Sequence, residues 1–296
     1  MSTLTRRRLL TISAAALALP GRAALAAEAR WQGQALGAHA SLHIRHLSQA
    51  EGAPLLAEVE AELARLEAIF SLYRSDSALV RLNRRGRLDL PPPELLEVLT
   101  LARTAHAMTG GLFDPSVQPL FAAYAEAGAA GRPCSGAALE RACGLTGFGR
   151  VAFDAEAIRL EPGMALTLNG IAQGFITDRI AGLLRARGLG EVLVDMGEIA
   201  VLGTGWRVGI AGTARRVTLD NHAIATSVAL GTVLDAKGRI GHIFQPGSGW
   251  AEPARAQASV IADSAALADA LSTAAVLMPE AALRALEGDD IRVLTV

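Results

Sequence analysis

Asp269 and Thr273 stand four residues apart in Ala268-Asp269-Ala270-Leu271-Ser272-Thr273-Ala274. In a helix, that spacing puts a carboxylate and a hydroxyl on one face. Both are hard oxygen donors, suited to Mg²⁺ or Ca²⁺ rather than zinc. Mg²⁺ takes few protein ligands and completes its shell with phosphate and water, so two donors are enough. Earlier in the chain, Leu168-Asn169-Gly170-Ile171-Ala172-Gln173-Gly174-Phe175 reads as a loop running into a helix. The free N–H groups and partial positive charge of a helix start suit a phosphate. Gly170 and Gly174 let a ligand or another backbone come close, and the Gly170 carbonyl could face a metal. Together the two segments point to a metal-assisted reaction on a phosphate ester or anhydride. Taken singly, each has a plainer explanation: a threonine bonded to its own helix backbone near a capping Asp, and tight helix–sheet packing at the glycines.

Other side chains add weaker signals. His242 ends a strand before Ile243-Phe244-Gln245-Pro246-Gly247-Ser248-Gly249. A histidine there can accept a proton or bind a phosphate, or serve as a hydrogen-bonded edge residue. Tyr73 and Phe113-Asp114 could stack on a planar ring, with Asp114 as an added acceptor, or could pack into the core. His39, His43 and His46 lack metal spacing and read as strand surface. Ser227 is not in a GxSxG elbow, and no GxGxxG follows a strand, so neither a hydrolase triad nor a Rossmann nucleotide site is supported.

These residues need a scaffold, and periodicity supplies one. Ala40–Leu47 alternates as a strand, and Gly52–Phe70 carries Leu55, Leu56, Val59, Leu63, Leu66 and Ile69 at helical spacing. Ser71–Asn83 is a loop or helix start. Pro91-Pro92-Pro93 opens a second helix that Gly110-Gly111 ends. Phe113–Ser116 is a turn, Ala125–Arg132 a mobile Gly-rich stretch, and Ala137–Cys143 a short helix. Val151–Leu160 and Ala165–Leu168 read as paired strands. Ile171–Arg187 is a helix stopped by Gly188. Val192–Met196, Val201–Leu202, Arg207–Ile210 and Val217–Leu219 build one sheet. Ala223–Thr226 and Arg239–Phe244 flank a hairpin at Gly231–Gly238. Ser259–Ala262 is a strand, Ser264–Met278 and Ala281–Leu286 are helices, and Ile291–Val296 is a last strand. Helices and strands interleave without a strict βαβ rhythm, which gives one α+β unit with mixed sheets flanked by helices.

The chain has 296 residues, 51% of them apolar, with 28 basic and 29 acidic side chains and a formal net charge of -1. That length can bury a sizeable core. Balanced charge gives no case for nucleic acid or for a disordered acidic chain. Thr5-Arg6-Arg7-Arg8-Leu9-Leu10, an apolar run to Pro20 and Ala24-Leu25-Ala26 form an export signal over residues 1–26, and the paired arginines suggest the twin-arginine route. The run is too short for a stable membrane span. The mature protein is expected to work outside the cytoplasm, where Cys134 and Cys143 could pair or remain inert thiols.

In order along the chain stand Tyr73-Arg74-Ser75-Asp76-Ser77…Asn83, Phe113-Asp114-Pro115-Ser116-Val117…Pro119-Leu120, Gly170-Ile171-Ala172-Gln173-Gly174-Phe175…Asp178, Ala225-Thr226-Ser227, His242…Pro246…Gly249 and Ala268-Asp269-Ala270…Thr273. From about Trp31 to the end, this set resembles the FAD:protein FMN transferase family, also called ApbE. Met196-Gly197-Glu198-Ile199 and Ala225-Thr226-Ser227…Gly231-Thr232 look most like its NosX-type members, which serve maturation of the nitrous oxide reduction system. The resemblance implies a transferase domain over residues 27–296 that takes FAD as substrate with Mg²⁺ on its pyrophosphate. A threonine or serine hydroxyl of an acceptor flavoprotein, such as a membrane-bound electron-transfer protein, attacks the FMN-side phosphorus, and AMP leaves. It also implies that Asp269, Thr273 and the Gly170 carbonyl hold the metal. Leu36, Tyr73, Leu112, Phe113, Asp114, Thr167, Gln173 and Phe244 would line the FAD site, and His242 and Asp269 would be catalytic. Such chemistry needs positioning and charge neutralisation more than a protein nucleophile.

The chain departs from the family pattern in places. Leu36-Gly37-Ala38 stands for the usual Met-Gly-Thr, Thr167 for an acid, Gln173 for a frequent lysine, and Gln245-Pro246-Gly247-Ser248-Gly249 for Asp-Pro-Arg-Thr-Gly. Losing an acid and a cation there would weaken FAD recognition or turnover. Two other outcomes fit the same residues: a flavin-binding maturation factor that transfers nothing, and a metal-dependent FAD pyrophosphatase.

Overall fold

A computed structural model describes residues 27–296, and the proposed export segment lies outside them. The strands are β1 (Glu28–Ala35), β2 (Ala38–Arg45), β3 (Arg87–Asp89), β4 (Ala152–Phe153), β5 (Ala157–Arg159), β6 (Val192–Asp195), β7 (Ile199–Leu202), β8 (Trp206–Gly209), β9 (Arg216–Leu219), β10 (Ala223–Val228), β11 (Gln257–Ala262) and β12 (Arg292–Thr295). The helices are α1 (Gln49–Phe70), α2 (Ala78–Arg85), α3 (Pro93–Met108), α4 (Gln118–Ala129), α5 (Gly136–Gly144), α6 (Ala172–Ala186), α7 (Ala265–Ala275) and α8 (Glu280–Leu286). No helix among the described residues is long and apolar enough to cross a membrane.

The centre is a seven-stranded sheet in the order β1-β2-β6-β7-β10-β11-β12. Its alternate residues face two different cores. Val192, Val194, Ala200, Leu202 and Ala223 join the main core with α1, α3 and α6. Their neighbours Leu193, Ile199, Val201, Ile224 and Ile261 pack instead on Trp206, Val208 and Leu219 of the β8–β9 ribbon. Burial on both faces explains why β6, β7 and β11 read as near-continuous apolar runs. The β8–β9 ribbon is a separate sheet lying across the second face, not the continuation expected from its sequence position. The α+β unit is as expected, and all the described strand pairings are antiparallel.

Local chemistry sets the ends of the elements. A Ser48–Glu51 capping box starts α1, and Ser264 caps α7. Leu36 and Gly37 both take positive φ, 49° and 84°, making the two-residue turn between β1 and β2. β1 itself was not legible as a strand.

Three further expectations change. The stretch Ala125–Arg132 is not a mobile loop: alanine favours helix, and α4 runs through it to Ala129. Gly128 marks close packing there, because an added Cβ would strike the Leu234 carbonyl. Ala165–Leu168 is not a strand. The Asn83 side-chain amide pairs both ways with Leu166, at 2.8 Å each, doing what a neighbouring strand would do. Arg239–Phe244 does not pair with β10, whose partners are β7 and β11. Residues 229–256 are instead an excursion between β10 and β11, closed by one Val233–Gly241 bridge and by Asp235, which accepts from the Arg239 and Ile240 N–H groups. It rests on α4 and α5 through Leu234, Ile240 and Phe244.

Candidate active site

The N-terminal end of α6 is where the sequence candidates meet. α6 and α7 touch backbone to backbone, since a Cβ on Gly174 would run into Ala265. Asp178, one helix turn on from Gly174, binds the start of α7: its carboxylate accepts from Ser264 Oγ at 2.8 Å and from the Ala265 and Ala266 N–H groups at 2.8 and 2.9 Å. This clamp carries Asp269 and Thr273 to the loop before α6. Asp269 is buried, and its Oδ2 accepts from the Gly174 N–H at 3.2 Å. A Cβ on Gly170 would lie 2.9 Å from Thr273 Oγ1 and 3.4 Å from the Phe113 ring, so Gly170, Thr273 and Phe113 share one small space.

The plainer explanation for Thr273 fails. Its hydroxyl is not bonded to its own helix; the partner is Ser227 Oγ on β10, at 3.3 Å. The Asp269 carbonyl that a threonine four residues on could have used is taken by Ser272 Oγ at 3.0 Å. Asp269 does not cap its own helix, where Ser264 holds that place, but its carboxylate does take the Gly174 N–H in the first turn of α6.

Carboxylates crowd this region. Burial, with the negative charge of Asp178 added, pushes Asp269 up to about 8. Burial, then the nearby Asp269, drives Glu198 well above the usual carboxylate range. Burial lifts Asp195 to about 7. In the sequence Glu198 stands out only as part of Met196-Gly197-Glu198-Ile199, with no chemical role attached to it. Its Oε2 accepts from the Thr226 N–H at 3.1 Å, just beyond the short β7–β10 ladder. The Glu198 carbonyl is reached by Thr177 Oγ1 at 3.0 Å, and Gly197 takes a φ of 106° hard against the Gln173 amide. Gln173 thereby faces the Met196–Glu198 turn.

The remaining candidates divide. Thr167 sits beside the Phe113–Ser116 turn, donating its N–H to the Pro115 carbonyl at 2.8 Å. Leu36 and Tyr73 gather at the C-terminal end of α1, where Glu67 accepts from the Leu36 N–H at 2.8 Å. That end meets α6 through an edge-on Phe70–Phe175 contact, centroids 5.5 Å apart. Tyr73 is 63% exposed, free to present its ring rather than pack in the core. Leu112 lies against the main core. Asp114 is committed elsewhere: its carboxylate accepts from the Ser116 N–H and hydroxyl and from the Phe148 N–H, which fixes the turn that holds Phe113. Phe244 is stacked on Tyr124, centroids 5.0 Å apart, in the core under α4 and α5.

His242 hangs from the excursion at the end of β10, anchored where Gly241 packs on the Ala229 carbonyl. Its Nδ1 accepts from the Thr232 N–H at 3.3 Å. Burial lowers its pKa, favouring the neutral ring. A neutral ring whose Nδ1 accepts carries its proton on Nε2, so His242 is set to donate to an anion. Acting as a base would require giving up the Thr232 bond.

The model for the ApbE family matches residues 36–295. The chain belongs to the ApbE family. It is 25% identical to a protein named FAD:protein FMN transferase from Vibrio cholerae serotype O1, over 98% of this chain and 93% of that one. It is 29% identical to a protein of the same name from Treponema pallidum, over 74% and 70%. Among solved structures, the apo form of a Pseudomonas stutzeri flavinyl transferase ApbE superposes with a TM-score of 0.77 at 27% identity, covering 91% of this chain and 94% of the other.

For an ApbE member, a divalent cation at the α6–α7 junction fits the donor set present. No three His, Cys, Asp or Glu side chains converge as a metal site among the described residues. A cation here would draw on one carboxylate, one hydroxyl and backbone oxygen, the kind of partial shell that Mg²⁺ accepts. Burial that keeps Asp269 protonated near neutral pH would be offset by such a cation.

Proposed function

We propose that this chain transfers FMN from FAD to a serine or threonine hydroxyl of a partner protein. A bond forms between the acceptor oxygen and the FMN-side phosphorus, the bond to the AMP oxygen breaks, and AMP leaves with the proton that the acceptor hydroxyl gives up. The observation that carries this reading is the convergence of Asp269, Thr273 and Gly170 at the start of α6, in a chain matched to the ApbE family along nearly its whole described length.

Asp269, Thr273 and the Gly170 carbonyl would hold Mg²⁺, which supplies neutralisation of pyrophosphate charge. The chain's own part is positioning. At the start of α6 the Asn169, Ile171, Ala172 and Gly174 N–H groups are already bonded, which leaves those of Gly170 and Gln173 for a phosphate. His242 Nε2–H donates to an oxygen of the reacting phosphate. Phe113, Leu112, Leu36 and Tyr73 supply apolar and aromatic surface around the same end of α6 for a flavin or adenine ring. Gln173 and Thr167 stand there as neutral hydrogen-bonding groups.

The export pattern at residues 1–26 supports a periplasmic protein delivered by the twin-arginine route. The acceptor is then an exported or membrane-bound electron-transfer protein, and the likeness to NosX-type members favours a nitrous oxide reduction system. Intact mass spectrometry of the mature protein with FAD, Mg²⁺ and candidate acceptor domains tests the reading. An acceptor that gains the mass of FMN less water, only with metal, is the expected result. Free FMN and AMP with no labelled acceptor would replace it with a pyrophosphatase. FAD bound but unchanged would replace it with a flavin carrier.

A further inference from the structure

Three hydroxyls stand in a row between β10 and α7. Thr273 Oγ1 lies 3.3 Å from Ser227 Oγ, Ser227 Oγ lies 2.7 Å from Ser272 Oγ, and Ser272 Oγ lies 3.0 Å from the Asp269 carbonyl oxygen. A hydroxyl has one proton to give and two lone pairs. A carbonyl oxygen can only accept, so the Ser272 proton goes to Asp269. Ser272 must then accept from Ser227, which spends the Ser227 proton. Ser227 must in turn accept from Thr273. The row therefore runs in one direction, from Thr273 through Ser227 and Ser272 to the backbone of Asp269. Its last link, Ser272, is fully buried, which shields the order of the bonds from water.

We propose that this one-way row makes Ser227 and Ser272 positioning residues for the cation site, by consuming the Thr273 proton and leaving only lone pairs of Thr273 Oγ1 to face the space beside Gly170. The inference rests on the proposed metal-dependent reading. A free threonine would rotate its hydroxyl and could point its proton at a cation; here that orientation is closed off. The row also returns to Asp269 through its carbonyl, so the two side-chain oxygens offered to the metal are tied to one another through four residues. Nothing in the local sequence announces this. Ser227 belongs to a strand and Ser272 to an alanine-rich helix, and only the packing of α7 on β10 brings them together.

The test is Mn²⁺ binding to the mature protein in the presence of FAD, followed by electron paramagnetic resonance, for the wild type, Ser227→Ala, Ser227→Thr, Ser272→Ala and Asp269→Ala. Loss of a group that orients a metal ligand commonly weakens affinity about 10- to 100-fold, and Ser227→Ala is expected to fall in that range. Ser227→Thr, which keeps the hydroxyl, should recover most of the binding, and Ser272→Ala should lose less than Ser227→Ala. Wild-type affinity in both serine-to-alanine variants, with Asp269→Ala still losing Mn²⁺, would overturn the relay and leave the metal site standing. Unchanged binding in Asp269→Ala would overturn the metal reading and the relay with it. A purely structural role for Ser227 would appear as a lower melting temperature of the metal-free variant with Mn²⁺ affinity intact, and that too would overturn the proposal. If Ser227→Ala does not fold, Ser272→Ala carries the same comparison.

Discussion

Asp269 is the side chain on which the proposed chemistry turns. Its carboxylate is buried and desolvated, touches one N–H of α6, and has no cationic side chain bonded to it among the described residues. Asp269→Ala is expected to abolish Mg²⁺-dependent AMP release, measured by chromatography of the nucleotide products; unchanged release would remove Asp269 from the metal site. The buried carboxylates also set a pH dependence. Asp195 has its pKa raised to about 7, so between the ordinary carboxylate range and that value the folded protein holds a proton that the unfolded chain has lost. Stability from this group is therefore complete at acid pH and disappears as pH rises through about 7. The metal-free protein should melt at lower temperature at pH 8 than at pH 5, and Asp195→Asn should flatten that slope. An unchanged slope in the variant would assign the effect to other groups.

At the scale of elements, the site is the junction of α6 with α7, and two devices hold it. Gly174 lets the helices meet at backbone distance, and Asp178 satisfies the N–H groups at the start of α7. Asp178→Ala strips partners from those groups and should cost about 2–3 kcal/mol, read from urea unfolding. Gly174→Ala drives a methyl into Ala265 and should cost about 1–3 kcal/mol while separating Asp269 from the α6 backbone. Much of this junction is legible in the sequence: α6 and α7 follow from apolar periodicity, and Gly170 with Gly174 marks a loop running into a helix where something must come close. The clamp by Asp178 is not legible, since a carboxylate in the second turn of one helix says nothing about which other helix it will cap. Phe113-Asp114 shows the same limit. The pair is recognisable as a motif, but only the fold shows that the Asp114 carboxylate is consumed by Ser116 and Phe148 while Phe113 reaches Gly170.

Over the whole molecule, the seven-stranded sheet is sealed on one face by helices and on the other by the β8–β9 ribbon. Trp206 is the main plug of the second face, with the Arg45 guanidinium 3.6 Å from its ring centroid. Trp206→Ala should cost about 3–5 kcal/mol and lower the melting temperature, although the residue lies on the ribbon and not among the site residues. The excursion over residues 229–256 has the opposite character: it leaves the sheet, leans on α4 and α5, and brings His242 to the end of β10. Export belongs to this scale too. A reporter carrying residues 1–26 should reach the periplasm in folded form, and Arg6→Lys with Arg7→Lys should block it; export that persists would remove the twin-arginine route.

The sequence by itself determined the family, helices α1, α3, α6 and α7, the placing of Asp269 and Thr273 on one helix face, and the glycines before α6. These depend on spacing along one helix or on short contiguous motifs, where covalent geometry fixes which side chains share a face. It did not determine that the excursion after β10 abandons the sheet, that Asn83 stands in for a strand beside Leu166, that Phe244 goes to the core, or that Ser227 joins Ser272 and Thr273. Each of those pairs residues distant in the chain. Which of several hydrogen-bonding partners a polar group takes is settled only when packing has removed the water and the alternatives.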